Sequence, residues 1–426
     1  MKNLARKIIP KFLMSWYHFA WVFVGAMFYR FPASKMTVIG VTGTNGKSTT
    51  VEMISRILRE AGLQTCSISS IRFQMGEKEW RNRLKMTMPG RFVVQKFLRQ
   101  AVNDGCTHAV IEVTSEGILQ HRHRFLNFHG AVFTNLSPEH IERHGGFENY
   151  KAAKGKLFQI AKGLHVVNGD NEHATYFLQF PAHEKYVYRF KHQHTEYEVP
   201  IQNSKVIEAD VVCQSSEGVG FLVGQTKFSL SLLGEFNVYN ALAAIGVGLS
   251  QGISLETCKK ALEKIAGVPG RMELVIGEPF RVFVDYAFTP VALEKVYQTL
   301  STEYKLICVL GAAGGGRDKW KRPLLGKIAG AYCDTIIVTN EDPYDEDPQE
   351  IIDQVAKGTG GKAEKILDRR ETIKRALKIA REGDTVIITG KGCEDSLVVA
   401  GGKKIPWDDR EAVREEFQKL SRFRYM

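Results

Sequence analysis

The hydrophobic pattern of this chain divides it into three stretches. From Phe12 to Tyr29 it is apolar nearly all round a helix, with Trp16, Tyr17, Trp21, Phe28 and Tyr29 and no Asp, Glu, Lys or Arg. From Met36 to about Gly270 short β-branched runs alternate with segments of helical spacing, as in an α/β domain with a largely parallel sheet. Strands are predicted at Met36–Val41, Ala109–Val113, Ala131–Thr134 and His165–Val167, and helices at Lys47–Ala61, Arg91–Asn103 and Glu148–Ala161. Tyr186–Leu232 reads as β-rich, with alternation at Tyr197-Glu198-Val199 and at Phe228–Leu232. After Pro269-Gly270, taken as a boundary, strands at Val282–Val284, Leu306–Leu310, Thr335–Val338 and Thr385–Ile388 mark a second open α/β sheet. The expected domains are thus 1–35, 36–270 and 271–426.

The first strand runs into Gly43-Thr44-Asn45-Gly46-Lys47-Ser48-Thr49, and a helix follows. Strand, glycine loop and helix form phosphate-binding geometry: backbone N–H groups turn around phosphate oxygens and the helix N-terminus adds partial positive charge. Lys47 is placed to reach the outer phosphates of ATP and Ser48 to hold Mg²⁺. The usual first glycine of such loops is replaced by Val41, so this is a shorter form of the motif. Glu112 closes a predicted strand, where a carboxylate can hold a metal directly or through water. His140 lies on a loop leaving the next strand, and Lys154 falls in the helix after it.

Composition narrows this reading. A hydrophobic content of 44% and a charged content of 25% are ordinary for a globular protein. The net charge of +11 comes without any basic run interleaved with aromatics, which excludes a recognisable nucleic-acid module and leaves anionic substrates or an anionic membrane. Seven singly scattered cysteines read as reduced, cytosolic usage without a zinc site. Lys2, Arg6, Lys7 and Lys11 precede the apolar stretch, which is read in two ways: a membrane-associated helix, interfacial or spanning, or a helix docked on the body of the protein. Cations on both flanks leave its orientation open.

In order, GVTGTNGKSTT, IEVTSEGILQHR, TNLSPEHIERHG with YKAAK, LGEFNVYNALAA, PGRME, VDYAFTP, GRDKWKRP, NEDP, GKGCE and IPWDDRE resemble the motifs of the Mur ligases. These are the ATP-dependent amino-acid ligases of peptidoglycan precursor synthesis, and the likeness is greatest to the branch of the UDP-N-acetylmuramoyl-tripeptide synthetases. The resemblance implies a central P-loop ATPase domain, a Rossmann-like C-terminal domain, a cytoplasmic enzyme, and a muramoyl-peptide acceptor joined to an amino acid; a place at the inner face of the membrane follows only from the membrane-associated reading of Phe12–Tyr29. It implies two Mg²⁺ ions, with Ser48, Glu112, His140 and a carbamylated Lys154 around them, and Lys47 on the phosphates. Asn237 and Asn240 would lie near the adenine, and Arg271 and Asp285 would reach ATP on domain closure. Thr87, Thr114, Gln120 and Arg122 would contact the acceptor, and Arg317, Asp342 and Glu394 would line the amino-acid pocket.

The chain departs from the family at Met88, Glu116, Phe288 and Cys393, where the family has Thr, His, His and His. The family's N-terminal uridine-nucleotide domain has no counterpart in the residues before Met36. Branch members that take meso-diaminopimelate carry an arginine where Tyr344 stands, and Asp342 and Glu394 would present two acids to a side-chain ammonium; lysine or ornithine is therefore expected over diaminopimelate. Rival readings are a ligase subunit amidating a lipid-linked precursor, a folylpolyglutamate synthetase, a membrane-tethered nucleotide-binding regulator without turnover, and a transport ATPase. The oligomeric state is left open.

Overall fold

The computed structural model describes residues 11–84, 86–192, 199–301 and 304–424. The expected alternation at Tyr197-Glu198, and Lys2, Arg6 and Lys7, lie outside the described residues. The chain forms two units, the first made of residues 1–136, 147–231 and 235–266, and the second of residues 137–146, 232–234 and 267–426.

The first unit opens with α1 (Lys11–Phe28), a short 3₁₀ turn, and β1 (Thr37–Thr42). Then follow α2 (Lys47–Glu60), β2 (Thr65–Ile68), β3 (Arg72–Met75), β4 (Lys78–Arg81), α3 (Arg91–Asn103), β5 (His108–Glu112), α4 (Ser115–Leu119) and β6 (Phe128–Phe133). The short α5 (Ile141–His144) belongs to the second unit. The first resumes with α6 (Phe147–Ile160), β7 (Leu164–Asn168), α7 (Ala174–Leu178), β8 (Glu184–Phe190), β9 (Lys205–Gln214), β10 (Val219–Val223), β11 (Thr226–Leu230), α8 (Glu235–Ser250) and α9 (Leu255–Glu263). Its eleven strands run in the order β11-β10-β9-β8-β7-β6-β1-β5-β2-β3-β4.

The seven strands from β9 to β2 are mutually parallel, and antiparallel hairpins finish both edges. The chain leaves β1 for β2 on one side, then returns to insert β5 between them and place β6 on the other side. This reversal opens a crevice at the carboxyl ends of β5, β1 and β6, where an α/β sheet binds its ligands. The central strands carry Val38, Ile111 and Phe133 into a core shared with Leu157 and Phe158 of α6. Burial on both faces explains their near-continuous apolar sequence.

The second unit continues with β12 (Glu273–Ile276), β13 (Arg281–Val284), α10 (Pro290–Leu300), β14 (Leu306–Leu310), α11 (Lys321–Tyr332), β15 (Thr335–Thr339), α12 (Pro348–Ala356), β16 (Ala363–Ile366), α13 (Arg369–Ile379) and β17 (Thr385–Ile388). A hairpin of β18 (Ser396–Val399) and β19 (Lys403–Pro406) and the helix α14 (Asp409–Arg424) complete it. The sheet order is β12-β13-β17-β14-β15-β16, parallel from β13 onward. Helix starts are written locally: Thr289 and Asp347 accept N-cap hydrogen bonds and Pro290 and Pro348 take the first helical position.

Two sequence expectations need correction. Among the described residues no helix is long and apolar enough to cross a membrane, which removes the spanning form of α1. The cysteines are not all single: Cys308 of β14 and Cys333 after α11 are joined, their Cα atoms 6.0 Å apart. They lie 25 residues apart in sequence, so no short motif announces the pair.

Candidate active site

The phosphate loop is held from behind by the end of β6. Thr44 N–H donates to the Asn135 carbonyl and Asn45 N–H to Asn135 Oδ1, both at 2.9 Å, while Thr134 Oγ1 donates to the Asn45 carbonyl at 2.7 Å. The approach is so close that a Cβ on Gly43 would lie 1.9 Å from Thr134 Oγ1. Gly46 has φ +80°, and a Cβ there would lie 2.3 Å from Asn240 Oδ1. Gly43 has φ +150°, so at both positions glycine is demanded by space and by backbone angle.

Lys47 folds back to donate to the Thr44 carbonyl at 2.8 Å, and its ammonium lies 4.0 Å from Glu112. Ser48 Oγ donates to Glu112 Oε2 at 2.8 Å. The same carboxylate oxygen accepts from the Ser70 N–H at 2.8 Å, and the Ser70 hydroxyl lies 2.7 Å from that of Ser48. Sequence reading misses Ser70, which comes from the turn between β2 and β3. A hydroxyl and a buried carboxylate beside a phosphate loop are hard oxygen donors, the set that suits Mg²⁺. Among the described residues there is no group of three His, Cys, Asp or Glu that could hold a metal.

Lys154 is buried, donates to the Gly43 carbonyl at 2.7 Å and lies 4.5 Å from the centre of the Tyr150 ring. The Tyr150 hydroxyl is in turn 3.0 Å from Thr44 Oγ1. Thr49 is buried in the first turn of α2. Asn240 accepts from Thr50 at 3.2 Å and donates to Asn237 at 3.1 Å, so this pair braces the start of α2.

The expected acceptor contacts also gather within the first unit. Thr114 caps α4 by accepting from the Gly117 N–H at 3.0 Å. Arg122 donates to Gln120 at 2.6 Å and to the carbonyl of Met88, the neighbour of Thr87. Glu116, where the family has His, accepts from Gln120 at 3.1 Å.

His140 belongs to the segment 137–146 of the second unit. That segment is fastened by Asp318, whose carboxylate accepts from the N–H groups of Ile141 and Glu142 at 3.2 and 3.1 Å. It is fastened again by a buried ion pair, Lys321 to Glu139 at 2.8 Å. Burial pushes the Glu139 carboxyl up, against the pull of Lys321.

The loops at the carboxyl ends of β13, β17, β14 and β15 hold the remaining candidates, apart from Arg271, which lies just before β12. Asp285 accepts from the Met272 and Ala287 N–H groups at 2.7 and 2.6 Å, yet burial leaves its carboxyl raised. The Arg271 guanidinium lies 4.5 Å from the Tyr286 ring centre, and that of Arg317 lies 6.0 Å from the Tyr344 ring centre. Asp342 accepts from Lys391 Nζ and from the Val398 N–H, both at 2.8 Å, and Lys391 also pairs with Glu394. Burial alone would lower the Lys391 ammonium, but Glu394 and Asp342 outweigh it and hold it raised. The two acids are therefore not an open pair awaiting a substrate ammonium, and the charge argument for lysine or ornithine loses its basis. Lys391 sits in Gly390-Lys391-Gly392; Glu394 lies three residues on, whereas the pairing with Asp342 joins loops of different strands and leaves no local signal.

A parallel-sheet crevice with a glycine phosphate loop, a lysine, and a hydroxyl–carboxylate pair defines an ATP-using α/β enzyme. The Mur ligase middle domain family matches residues 41–248, and the family described as Mur ligase, glutamate ligase domain, matches residues 270–392. The chain is 37% identical to a UDP-N-acetylmuramyl-tripeptide synthetase of Roseiflexus sp. (strain RS-1), covering 93% of this chain and 81% of that protein. It is also 37% identical to a UDP-N-acetylmuramoyl-L-alanyl-D-glutamate–2,6-diaminopimelate ligase of Aquifex aeolicus (strain VF5), covering 91% and 79% respectively. A solved structure of a ligase of this second name is 30% identical, with a TM-score of 0.59 over 91% of this chain and 79% of that one. A folylpolyglutamate synthase of Mycobacterium tuberculosis shares the fold alone, at 17% identity and a TM-score of 0.68 over 87% of this chain and 92% of that one. The protein belongs to the Mur ligase family, the ATP-dependent ligases that form C–N bonds between an acid and an amino acid.

Proposed function

We propose that this ligase adds an amino acid to a muramoyl-peptide precursor of peptidoglycan in the cytoplasm, through an acyl phosphate. The observation that carries the reading is the convergence of Lys47, Ser48 and Glu112 at one end of the sheet. An acceptor carboxylate oxygen attacks the γ-phosphorus, the bond to the bridging oxygen breaks, and ADP leaves with that electron pair. The amino-acid nitrogen then attacks the acyl carbon and gives up a proton, and phosphate departs with the C–O electrons.

The loop N–H groups and Lys47 hold the phosphates and offset the negative charge that gathers there as the carboxylate approaches. Ser48 and Glu112 would hold Mg²⁺, which supplies further charge stabilisation of the same kind. His140 and Lys154 are proposed for a second Mg²⁺, with Lys154 carbamylated. In support, a carbamate nitrogen keeps one hydrogen, so the bond to the Gly43 carbonyl survives while an anionic oxygen pair becomes available. Thr87, Thr114, Gln120 and Arg122 are proposed for the acceptor, Arg271, Asp285, Asn237 and Asn240 for the nucleotide, and Arg317, with Asp342 and Glu394 behind Lys391, for the amino acid. A diamino acid stays the proposed substrate on likeness to the diaminopimelate ligases alone.

The test is phosphate release with ATP and a panel of diaminopimelate, lysine, ornithine and alanine, using nucleotide-linked and lipid-linked muramoyl peptides. Release that needs both an amino acid and an acceptor is expected. Release indifferent to both, or none with any pair, overturns the reading. We further propose that the reaction takes place at the inner face of the cell membrane, with α1 as the contact.

A further inference from the structure

Helix α1 is apolar on both sides, and the protein uses one of them. On the inner side Val22 and Ala26 are buried, Phe19 meets Phe125 and His121, and Ser15 hydrogen-bonds His121 at 2.7 Å. Trp21 and Tyr29 meet Phe92 of α3, and Arg99 of α3 donates to the Tyr29 carbonyl at 2.7 and 2.9 Å. On the outer side stand Trp16 at 69% exposure, Tyr17 at 50%, Met27 at 55% and Phe28 at 71%, with Leu13 and Val24 between them. At 3.6 residues per turn these exposed positions cover roughly 120° of the circumference. A soluble surface helix carries charges on that arc, and this one carries none. Apolar faces of this breadth mark contact surfaces.

Charge identifies what covers it. Residues 1–46, 80–103 and 117–138, the stretches that contain α1 and the two segments it packs against, hold fourteen Lys and Arg and not one Asp or Glu. The whole chain is net +11, so everything outside these stretches is net negative. Among those of the fourteen whose side chains the structure describes, Arg30, Lys35, Arg83, Lys96 and Arg124 are exposed, and these five make the basic surface beside α1. Two copies meeting through such a surface would set like charges against each other, whereas an anionic bilayer attracts it. Tryptophan and tyrosine on an apolar face, with cations at its flanks, are the composition of a helix lying in the headgroup region. Its length of about 27 Å lies along the membrane plane, because the inner side is occupied by protein throughout.

We infer that the outer face of α1 docks the protein on an anionic lipid bilayer, with α1 parallel to its surface. This deepens the membrane-face reading given above and is independent of the ligase chemistry, since the test needs no turnover. The full chain is sedimented with vesicles of phosphatidylcholine alone, or of phosphatidylcholine with phosphatidylglycerol, at low and high salt. Binding only to the anionic vesicles, weakened by salt, is expected. The double variant Trp16→Ser, Phe28→Ser should bind at least tenfold more weakly, with unchanged thermal unfolding and ADP binding, since both side chains are exposed. No vesicle binding by the natural chain, or equal binding by the variant, overturns the inference. So does a lipid-free dimer that the double variant abolishes, which would make a second copy the occupant.

Discussion

Ser48 and Glu112, 64 residues apart in sequence, meet through a 2.8 Å hydrogen bond at the mouth of the phosphate loop. The hydroxyl donates to an oxygen that a bound cation would claim, so the pair is pre-positioned and has only to exchange a proton-mediated contact for a metal-mediated one. Glu112→Gln keeps the shape and removes the charge. It should lower ATP-dependent phosphate release by about 10²-fold or more while thermal stability changes by less than about 1 kcal/mol. Activity within about threefold of the natural protein would remove Glu112 from the metal site.

Lys154 supplies the second test. Lys154→Ala should abolish ligation, and added formate or acetate should restore part of it by replacing the carbamate oxygens. Protein given isotope-labelled bicarbonate should show a carbamate signal that Lys154→Ala lacks. Retained activity in the alanine variant would remove the proposed role.

Glu341 gives a pH dependence. Burial raises its carboxyl from 4.5 to about 7, and Lys391 and Arg369 oppose the rise only in part. A carboxyl raised on folding stabilises the folded state fully below the unfolded value and loses that contribution as pH climbs through the folded one. Stability should therefore fall between about pH 4.5 and 7, by on the order of 1–3 kcal/mol from this group. Glu341→Gln should flatten the curve in that window and melt higher than the natural protein at about pH 8. Parallel melting curves for the two proteins across the window would show that another group is responsible.

Lys391 is the buried cation between two acids. Lys391→Met leaves Asp342 and Glu394 without it and should cost about 3 kcal/mol or more, read by denaturant unfolding. Lys391→Met combined with Asp342→Asn should recover part of the loss, because the pair is removed rather than broken. A double variant no more stable than the single one would argue against the coupling.

What could be read in the chain, and what could not, follows sequence distance. The phosphate loop is local: glycine, lysine and serine stand within six residues, and the strand before and helix after obey their own periods. The predicted strands around it fall within a few residues of those observed for the same reason. Ser70 reaches Ser48 from another strand end, Lys391 reaches Asp342 across the second sheet, and Cys308 meets Cys333 across a helix; none of these pairings has a period or a motif. For α1 the pattern was uninformative in a different way. When both faces of a helix are apolar, periodicity reveals the helix but not which face the protein itself covers.

The second unit takes thirteen of its residues, Ser137–Gly146 and Leu232–Gly234, from earlier in the chain. A fragment beginning at Gly267 would contain the whole second sheet and still be incomplete, with Asp318 deprived of the N–H groups it caps and Lys321 of its carboxylate. The compact unit therefore does not coincide with a continuous stretch of sequence. A catalytic half exchanged between genes at this boundary would bring along a vacancy that only the matching loop from the other half could fill.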